Sequence, residues 1–499
     1  MFGTGAGCCN PALPWLGFRP LARAEQSVRY ISTRGDAPEL GLDDVLLTGL
    51  ARDGGLYVPA AWPRFSTDDI RAMRDLSYPE LAARIMAPFA AGTTCGDGLA
   101  GVLEDAYAGF TDPQVAPLVQ LDGNTWLMEL FHGPTLAFKD YALQVLGRLF
   151  DRVLRARGER ITIVGATSGD TGSAAIEACR DREAIDIFIL FPRGRVSPVQ
   201  QLQMTTVDAV NVHAISLDGT FDTCQDMVKA LFNDLALRDR LHLSAVNSIN
   251  LVRLLPQIVY YFRAALALGA PDRRVAFAVP SGNFGNVYSA YAAAALGLPV
   301  DRLVVATNAN DILARFFASG RMQIAGVQST LSPSMDIQVS SNFERLLFDL
   351  AGRNGARTGA MLTGLRTEGV FEVTGDMHRQ SAVLFDAEAV TDDDTVARIA
   401  RVHRETSVLI DPHSAVGVEA AVRARRRGAL ADGVPVVCLA TAHPAKFPDA
   451  VSRAVGHVPE PPGRIARLGE LEEHLTMLPD DYRTVADFIA AHSRTPDRP

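Results

Sequence analysis

Lys139 stands near the end of the segment FHGPTLAFKD at 131–140, directly behind Leu136, Ala137 and Phe138. An ammonium group set behind an apolar, stiff run is partly desolvated. Desolvation disfavours the charged form and lowers the pKa, leaving a neutral amine able to attack a carbonyl carbon. That is the chemistry of a Schiff-base lysine. The same decapeptide also suits an ordinary lysine at the start of an amphipathic helix, so other segments must decide between the two.

Two further segments have the composition of anion-binding turns. GATSGDTGS at 165–173 follows the strand-like run 161–164 and precedes an alanine-rich helical stretch. PSGNFGN at 280–286 follows the apolar run 274–279 and opens another helical stretch. Small residues, hydroxyls and free backbone N–H groups at a helix start suit a carboxylate or a phosphate. Either loop alone is also plain turn and N-cap material. Two of them beside a desolvated lysine favour a ligand. Neither has the G-x-G-x-x-G spacing of a dinucleotide site, and the strand end at Thr307 and Asn308 offers no ribose-binding acid. A third run, 434–439, ends in ATAHPAKF at 440–447, where Thr441 would present a hydroxyl at the sheet's carboxyl edge. An N-cap is the plainer role for Thr441, and a satisfied half-buried histidine the plainer role for His443; Lys446 is a further ionisable residue of that turn.

These turns need a scaffold that gathers them. The short apolar runs 161–164, 185–190, 210–215, 274–279, 303–306, 407–410 and 434–439 read as strands, and helical stretches begin near residues 171, 222 and 286. Apolar strands alternating with helices mean parallel sheets covered on both faces. The fold class is α/β, with two such sheets. Ligands of open α/β sheets collect beyond the carboxyl ends of the strands, where all three turns lie. The expected organisation is an extension over 1–27, a mostly helical module over 28–112, one α/β domain over 113–270 and a second over 271–499.

Composition bounds the partners. At 499 residues, with 48% hydrophobic and 21% charged residues, the chain reads as an ordinary globular protein of several domains. A net charge of -9 argues against nucleic acid or an anionic membrane surface as the main partner. The six cysteines show no metal-ligand spacing, and Cys8 beside Cys9 suits no ordinary disulfide, so no metal is expected and a cytoplasmic location fits best. No apolar run approaches the roughly 18 residues of a membrane span. Monomer and homodimer are both compatible with the chain.

Taken together, FHGPTLAFKD, GATSGDTGSAA, PSGNFGN and ATAHPAKF resemble the threonine synthase family, within the fold-type-II (tryptophan synthase β-like) pyridoxal-phosphate enzymes. RYISTRG at 29–35, DGGLYVP at 53–59, FPRGRVSPVQQLQM at 191–204, AVNSINLVRLLPQ at 245–257 and SPSMDIQVSSNFERLLF at 332–348 agree, and the N-terminal module points to the longer branch. The resemblance implies a lyase that turns O-phospho-L-homoserine and water into L-threonine and phosphate, by γ-elimination and β-addition of water. It implies that Lys139 holds pyridoxal phosphate by a Schiff base and moves substrate protons. Gly282, Asn283, Phe284, Gly285 and Asn286 would cradle the cofactor phosphate, Thr441 would meet the pyridine nitrogen, and Asp170 the ring hydroxyl. Ser168, Gly169 and Thr171 would line the substrate carboxylate. For the substrate phosphate the candidates are Arg193, Arg195 and Ser197 in one segment, and Ser334, Asn342 and Arg345 in another.

Overall fold

The computed structural model describes residues 27–495. The extension expected over 1–27 lies outside them, apart from Ser27. Six strands form the larger sheet, in the order Phe385–Ala389, Val300–Thr307, Val275–Pro280, Val436–Ala440, Thr125–Glu129 and Leu118–Gln120. Neighbours run parallel throughout except the last pair, which is antiparallel. Val275–Pro280 and Val436–Ala440 are buried at every residue. Their alternation sorts the core: Val275, Phe277, Val279, Val437 and Leu439 join the cluster that holds helix Gly285–Ala295. Ala276, Ala278, Val436, Cys438 and Ala440 join the one that holds helix Pro412–Arg426. A period of two thus feeds two cores, which is why these strands read as unbroken apolar runs.

The smaller sheet has five parallel strands, ordered Leu475–Leu478, Val212–Leu217, Ile185–Pro192, Ile161–Ala166 and Leu243–Ser244. Helices Lys139–Arg157 and Asp170–Cys179 pack against each other beside it. Phe221–Asn233 and Tyr482–His492 contribute to a separate core with Phe188, Leu190 and Ile215. The two parallel sheets expected from the sequence are both present.

The structure departs from the expectations in two places. Residues 407–410 form no strand. Ser407, at φ 60°, ends helix Asp392–Thr406, and the following residues run to Asp411, which caps Pro412–Arg426. Val408, Leu409 and Ile410 face the second core from this connector, so their apolar character reports burial alone. The sheets also do not follow a division at residue 270. Thr125–Glu129 and Leu118–Gln120 join the larger sheet, while Leu475–Leu478 edges the smaller one. Hydrophobic periodicity says that a segment is a strand; it does not say which sheet receives it.

The N-terminal module carries helices Thr67–Ala72, Tyr78–Ala90 and Leu99–Tyr107 and a strand pair, Tyr30–Ser32 with Tyr57–Pro59. Residues 342–353 clamp this pair to the larger domain. Glu344 takes Arg34 Nε (2.9 Å) and Thr33 Oγ1 (2.6 Å), and Arg353 donates to the carbonyls of Pro59 and Ala60 at 2.6 Å each. Among the described residues no helix is long and apolar enough to cross a membrane.

Candidate active site

Lys139 is the first residue of its helix, and the turn before it is held from both sides. Thr135 donates from its backbone N–H (2.8 Å) and its hydroxyl (2.7 Å) to the Asp140 carboxylate, whose pKa burial pushes up to about 6. Gly133 must be glycine, since a Cβ there would stand 2.5 Å from Asp140. Leu136 takes the left-handed φ of 59° that non-glycine residues avoid. The strained turn persists because it is over-determined. Phe138 N–H donates to Thr441 O (2.8 Å), His443 N–H donates to Leu136 O (3.0 Å), and Ala137 bridges Ala442. These bonds lock the Lys139 turn onto the end of strand Val436–Ala440.

The Lys139 side chain is 12% exposed and its Nζ lies 3.4 Å from Asp170 Oδ2. Burial lowers the pKa of Lys139. Asp170 pulls it back up, while the cations Lys446 and Arg253 push it further down. Asp170 is itself shared. Lys446, fully buried, donates from Nζ to Asp170 Oδ1 at 2.8 Å and to Thr135 O at 2.8 Å. Gln200 Nε2 adds a third contact at 2.9 Å. Burial alone would raise the Asp170 pKa; the charges of Lys446 and Lys139 outweigh it and hold the carboxyl far below the usual range. Asp170 is therefore a fixed anion between two amines, and Lys446 takes the shorter bond.

The Asp170 loop is ordered by Thr167 Oγ1, which accepts from Gly169 N–H (3.0 Å) and Gly172 N–H (2.8 Å). Gly169 sits at φ 137°, and a Cβ there would meet the Gln200 side chain at 2.3 Å. Gly169→Ala is expected to destabilise the protein by about 1–3 kcal/mol. A melting curve within error of the parent would show that this close approach is immaterial.

On the other side, Val275–Pro280 feeds the 281–286 loop. Among the described residues no protein group accepts from the N–H groups of Gly282, Asn283, Phe284, Gly285 or Asn286, and the buried Ser281 hydroxyl has no partner. A Cβ on Gly282 would stand 3.1 Å from Ser334 O, and one on Gly285 3.3 Å from Asn342 Nδ2. Phe284 adopts φ 61°, a strain of about 1–3 kcal/mol. Its buried ring lies 5.1 Å from Phe343 and 6.0 Å from Phe385. Burying such a ring contributes about 1.5–3 kcal/mol, enough to hold the strained backbone in place.

Thr441 is 6% exposed and its hydroxyl bonds no protein group among the described residues. Its N–H donates to Ser414 Oγ (3.2 Å), and Ser414 donates to Asp411. His413 Nδ1 meets Asp411 Oδ2 at 2.7 Å, and its Nε2 accepts from Ser334 N–H at 3.2 Å. A continuous polar chain thus runs from Thr441 to the residue beside Gly282. His443, whose pKa burial pushes down to about 4, accepts from Ala445 N–H as the cap of the following turn.

The structure brings together Lys139, Asp170, Gly169 and Thr441, and the residues 282–286 form a continuous loop beside Ser334. Tyr260 and Tyr261 donate to Asn286 Oδ1 at 2.5 and 2.6 Å, while Asn286 Nδ2 is buried without a partner among the described residues. Ser168 is exposed and Thr171 half-buried in the first turn of the helix. Three of the phosphate candidates are occupied elsewhere. Arg345 is fully buried and donates to Tyr57 O (3.0 Å), Ile249 O (2.5 Å) and Asn342 Oδ1, so it braces the N-terminal module. Asn342 is held by that arginine and by Ser248 O (3.1 Å). Arg193 pairs with Asp218 at the surface (2.7 Å), and Arg195 is exposed. Ser197 caps helix Pro198–Thr205, the element that delivers Gln200.

Sequence reasoning passed over Lys446, Gln200 and Arg253 as site residues. Gln200 looks like the last member of a capping box, which it also is. Lys446 lies in a turn, where lysines are usually solvated. Arg253 carried a usable signal, a cation between Leu251-Val252 and Leu254-Leu255, the same mark that singled out Lys139.

Comparison with known proteins agrees with this geometry. Residues 29–107 match the threonine synthase N-terminus, 113–362 the pyridoxal-phosphate dependent enzyme family and 414–489 the threonine synthase C-terminal region. Threonine synthase of Pseudomonas aeruginosa is 53% identical over 466 residues, covering 93% of this chain and 98% of that protein. The PLP-bound threonine synthase from Brucella melitensis superposes with a TM-score of 0.91 at 51% identity, over 94% of this chain and 100% of that one. The yeast threonine synthase structure gives a TM-score of 0.89 at 38% identity, over 94% and 99%. With family-specific segments matched at both ends and near-full coverage at this identity, the chain belongs to the threonine synthase family of pyridoxal-phosphate enzymes.

Proposed function

We propose that the Lys139 site converts O-phospho-L-homoserine and water to L-threonine and phosphate, the closing step of threonine biosynthesis, with pyridoxal phosphate as cofactor. The observation that carries this reading is a desolvated lysine opposite two anion-ready turns, in a chain that matches the family along almost its whole length. The residues suit the cofactor. The unpartnered N–H groups of 282–286 and the orphaned Ser281 hydroxyl would take its phosphate, and the glycine positions keep backbone and neighbours too close for a side chain. Thr441 would offer its free hydroxyl to the ring nitrogen, and Lys139 would bond the aldehyde carbon. When bound, the cofactor supplies the electron sink that stabilises carbanions at Cα and then Cβ.

The protein's own part is placement and proton transfer. Lys139, whose pKa is lowered by burial and by two nearby cations, takes a proton from carbon and returns it. Asp170 stays anionic and pinned by Lys446 and Gln200, so it gives Lys139 a fixed partner without competing for the proton. The loop 167–171 would receive the substrate carboxylate at the start of its helix. We place the enzyme in the cytoplasm on the sparse cysteines of the chain, which is compatible with both monomer and homodimer.

Heavy-oxygen water separates this reading from a phosphatase. Elimination breaks the carbon–oxygen bond, so the label is expected in the threonine hydroxyl and not in the released phosphate. Label in phosphate, with homoserine as the organic product, would overturn it.

A further inference from the structure

Beyond helix Pro448–Val455 the chain passes Pro459, Pro461 and Pro462 and enters two short consecutive turns, Gly463–Ala466 and Arg467–Glu470. One apolar residue anchors them: Ile465, 8% exposed, packs with Leu136 and Ala445. Arg464 and Arg467, on either side of it, stand at the rim of a cavity of about 500 Å³ whose walls include Phe131, Leu136, His443 and Pro462. That volume is ordinary for a small-molecule site. No residue assigned above to the cofactor or to the substrate lines it.

The walls divide by polarity. Phe131, Leu136 and Pro462 give an apolar floor, and the Phe131 ring meets the His443 ring edge-on at 5.3 Å. The other walls carry donors that the protein leaves unspent. Arg464 gives Nη2 to Gly109 O (2.6 Å), and among the described residues the Arg467 guanidinium has no acceptor. Neither arginine pairs with a carboxylate there; Glu129, close by, is taken by His132 Nε2 at 2.8 Å. His443 Nδ1 accepts from Ala445 N–H (3.2 Å), so the neutral ring carries its proton on Nε2, which has no protein acceptor among the described residues. Like charges three residues apart on a turn repel, and an anion that both can meet removes the repulsion.

The cavity also touches the turn that seats Lys139. His443 N–H donates to Leu136 O (3.0 Å), and both residues are cavity walls. An occupant would press on both partners of that bond.

We propose that this cavity is a second binding site, separate from the Lys139 site, for a small carboxylate with an apolar body. Arg464, Arg467 and the His443 Nε2–H meet the carboxylate, and Phe131, Leu136 and Pro462 meet the body. The site does not rest on the reaction assigned above.

Calorimetry on the cofactor-loaded enzyme tests it with three probes: 3-phenylpropanoate, the uncharged 3-phenylpropan-1-ol, and sulfate, which has charge and no body. The carboxylate is expected to bind with a Kd on the order of 1 mM or tighter, and the alcohol and sulfate roughly tenfold or more weakly. Arg467 is exposed and has no partner to lose, so Arg467→Met should keep the parent's melting temperature and kcat. It should weaken the carboxylate roughly tenfold, the lower end for a charged hydrogen bond, and Arg464→Met in addition should weaken it further. In turnover assays the carboxylate should leave the KM for O-phospho-L-homoserine unchanged, because only a competitor in the Lys139 site raises it. If the protein does not turn over that substrate, the reaction is wrong, yet the calorimetry still judges the cavity. An alcohol or sulfate that binds as well as the carboxylate, an affinity unmoved in the double variant, or a KM that climbs with carboxylate concentration would each overturn the proposal.

Discussion

Lys139→Ala is expected to lose at least about a thousandfold in kcat, the scale set by removing a covalent and proton-transferring group. It should also lose the yellow colour of bound cofactor. The fold should survive, because the Lys139 ammonium makes one polar contact, at 3.4 Å, and Asp170 keeps its shorter bonds to Lys446 and Gln200. Phosphate release, visible absorbance and far-ultraviolet dichroism check the three parts separately. A colourless, folded and inactive variant is the predicted outcome. Turnover within tenfold of the parent would remove Lys139 from the chemistry.

The second large effect concerns Lys446. Lys446→Met takes away the nearer of the two amines that hold Asp170 and leaves a buried carboxylate with a 3.4 Å contact to Lys139. Breaking a buried pair from one side costs about 3–5 kcal/mol. The same change removes a cation that depresses the Lys139 pKa, so that pKa rises. The acid limb of the kcat/KM profile should then move to higher pH, with activity at neutral pH down about tenfold or more and recovering as pH is raised. A purely structural lysine would lower activity without moving the profile. Asp170→Asn alone strands Lys446 in turn, whereas Asp170→Asn with Lys446→Met leaves no buried charge of that pair. The double variant should therefore lose less stability than the two singles summed. Asp170 also ties stability to acid. Its folded pKa lies below the unfolded carboxylate value of about 3.9, so its contribution is complete above that pH and drains away as pH falls below it.

The legible parts of this molecule were those whose physics is local. Apolar strands meeting glycine-rich turns announced Ile161–Ala166 and Val275–Pro280 with their loops, because burial on both faces leaves a continuous run and a helix start needs small residues. The wrong strand at 407–410 came from the same rule, since a buried connector is as apolar as a strand. The pairing of Thr125–Glu129 with Val436–Ala440 joins residues some three hundred positions apart, and no local pattern encodes it. At the site, Lys139 stood out because its cation followed an apolar run, and Arg253 carried that mark unheeded. Whether a cation ends in solvent or beneath a second domain depends on packing that no local pattern encodes: Lys446, in a turn, is buried against Asp170, and Arg345, in helix Phe343–Leu350, under the N-terminal strand pair.

The most direct measurement is of products. Purified protein given O-phospho-L-homoserine should release phosphate and L-threonine in equal amounts, with threonine identified by mass and neither formed by Lys139→Ala. A yellow protein that releases no phosphate but makes 2-oxobutyrate from threonine would contradict the account, and would make this a dehydratase on the same scaffold.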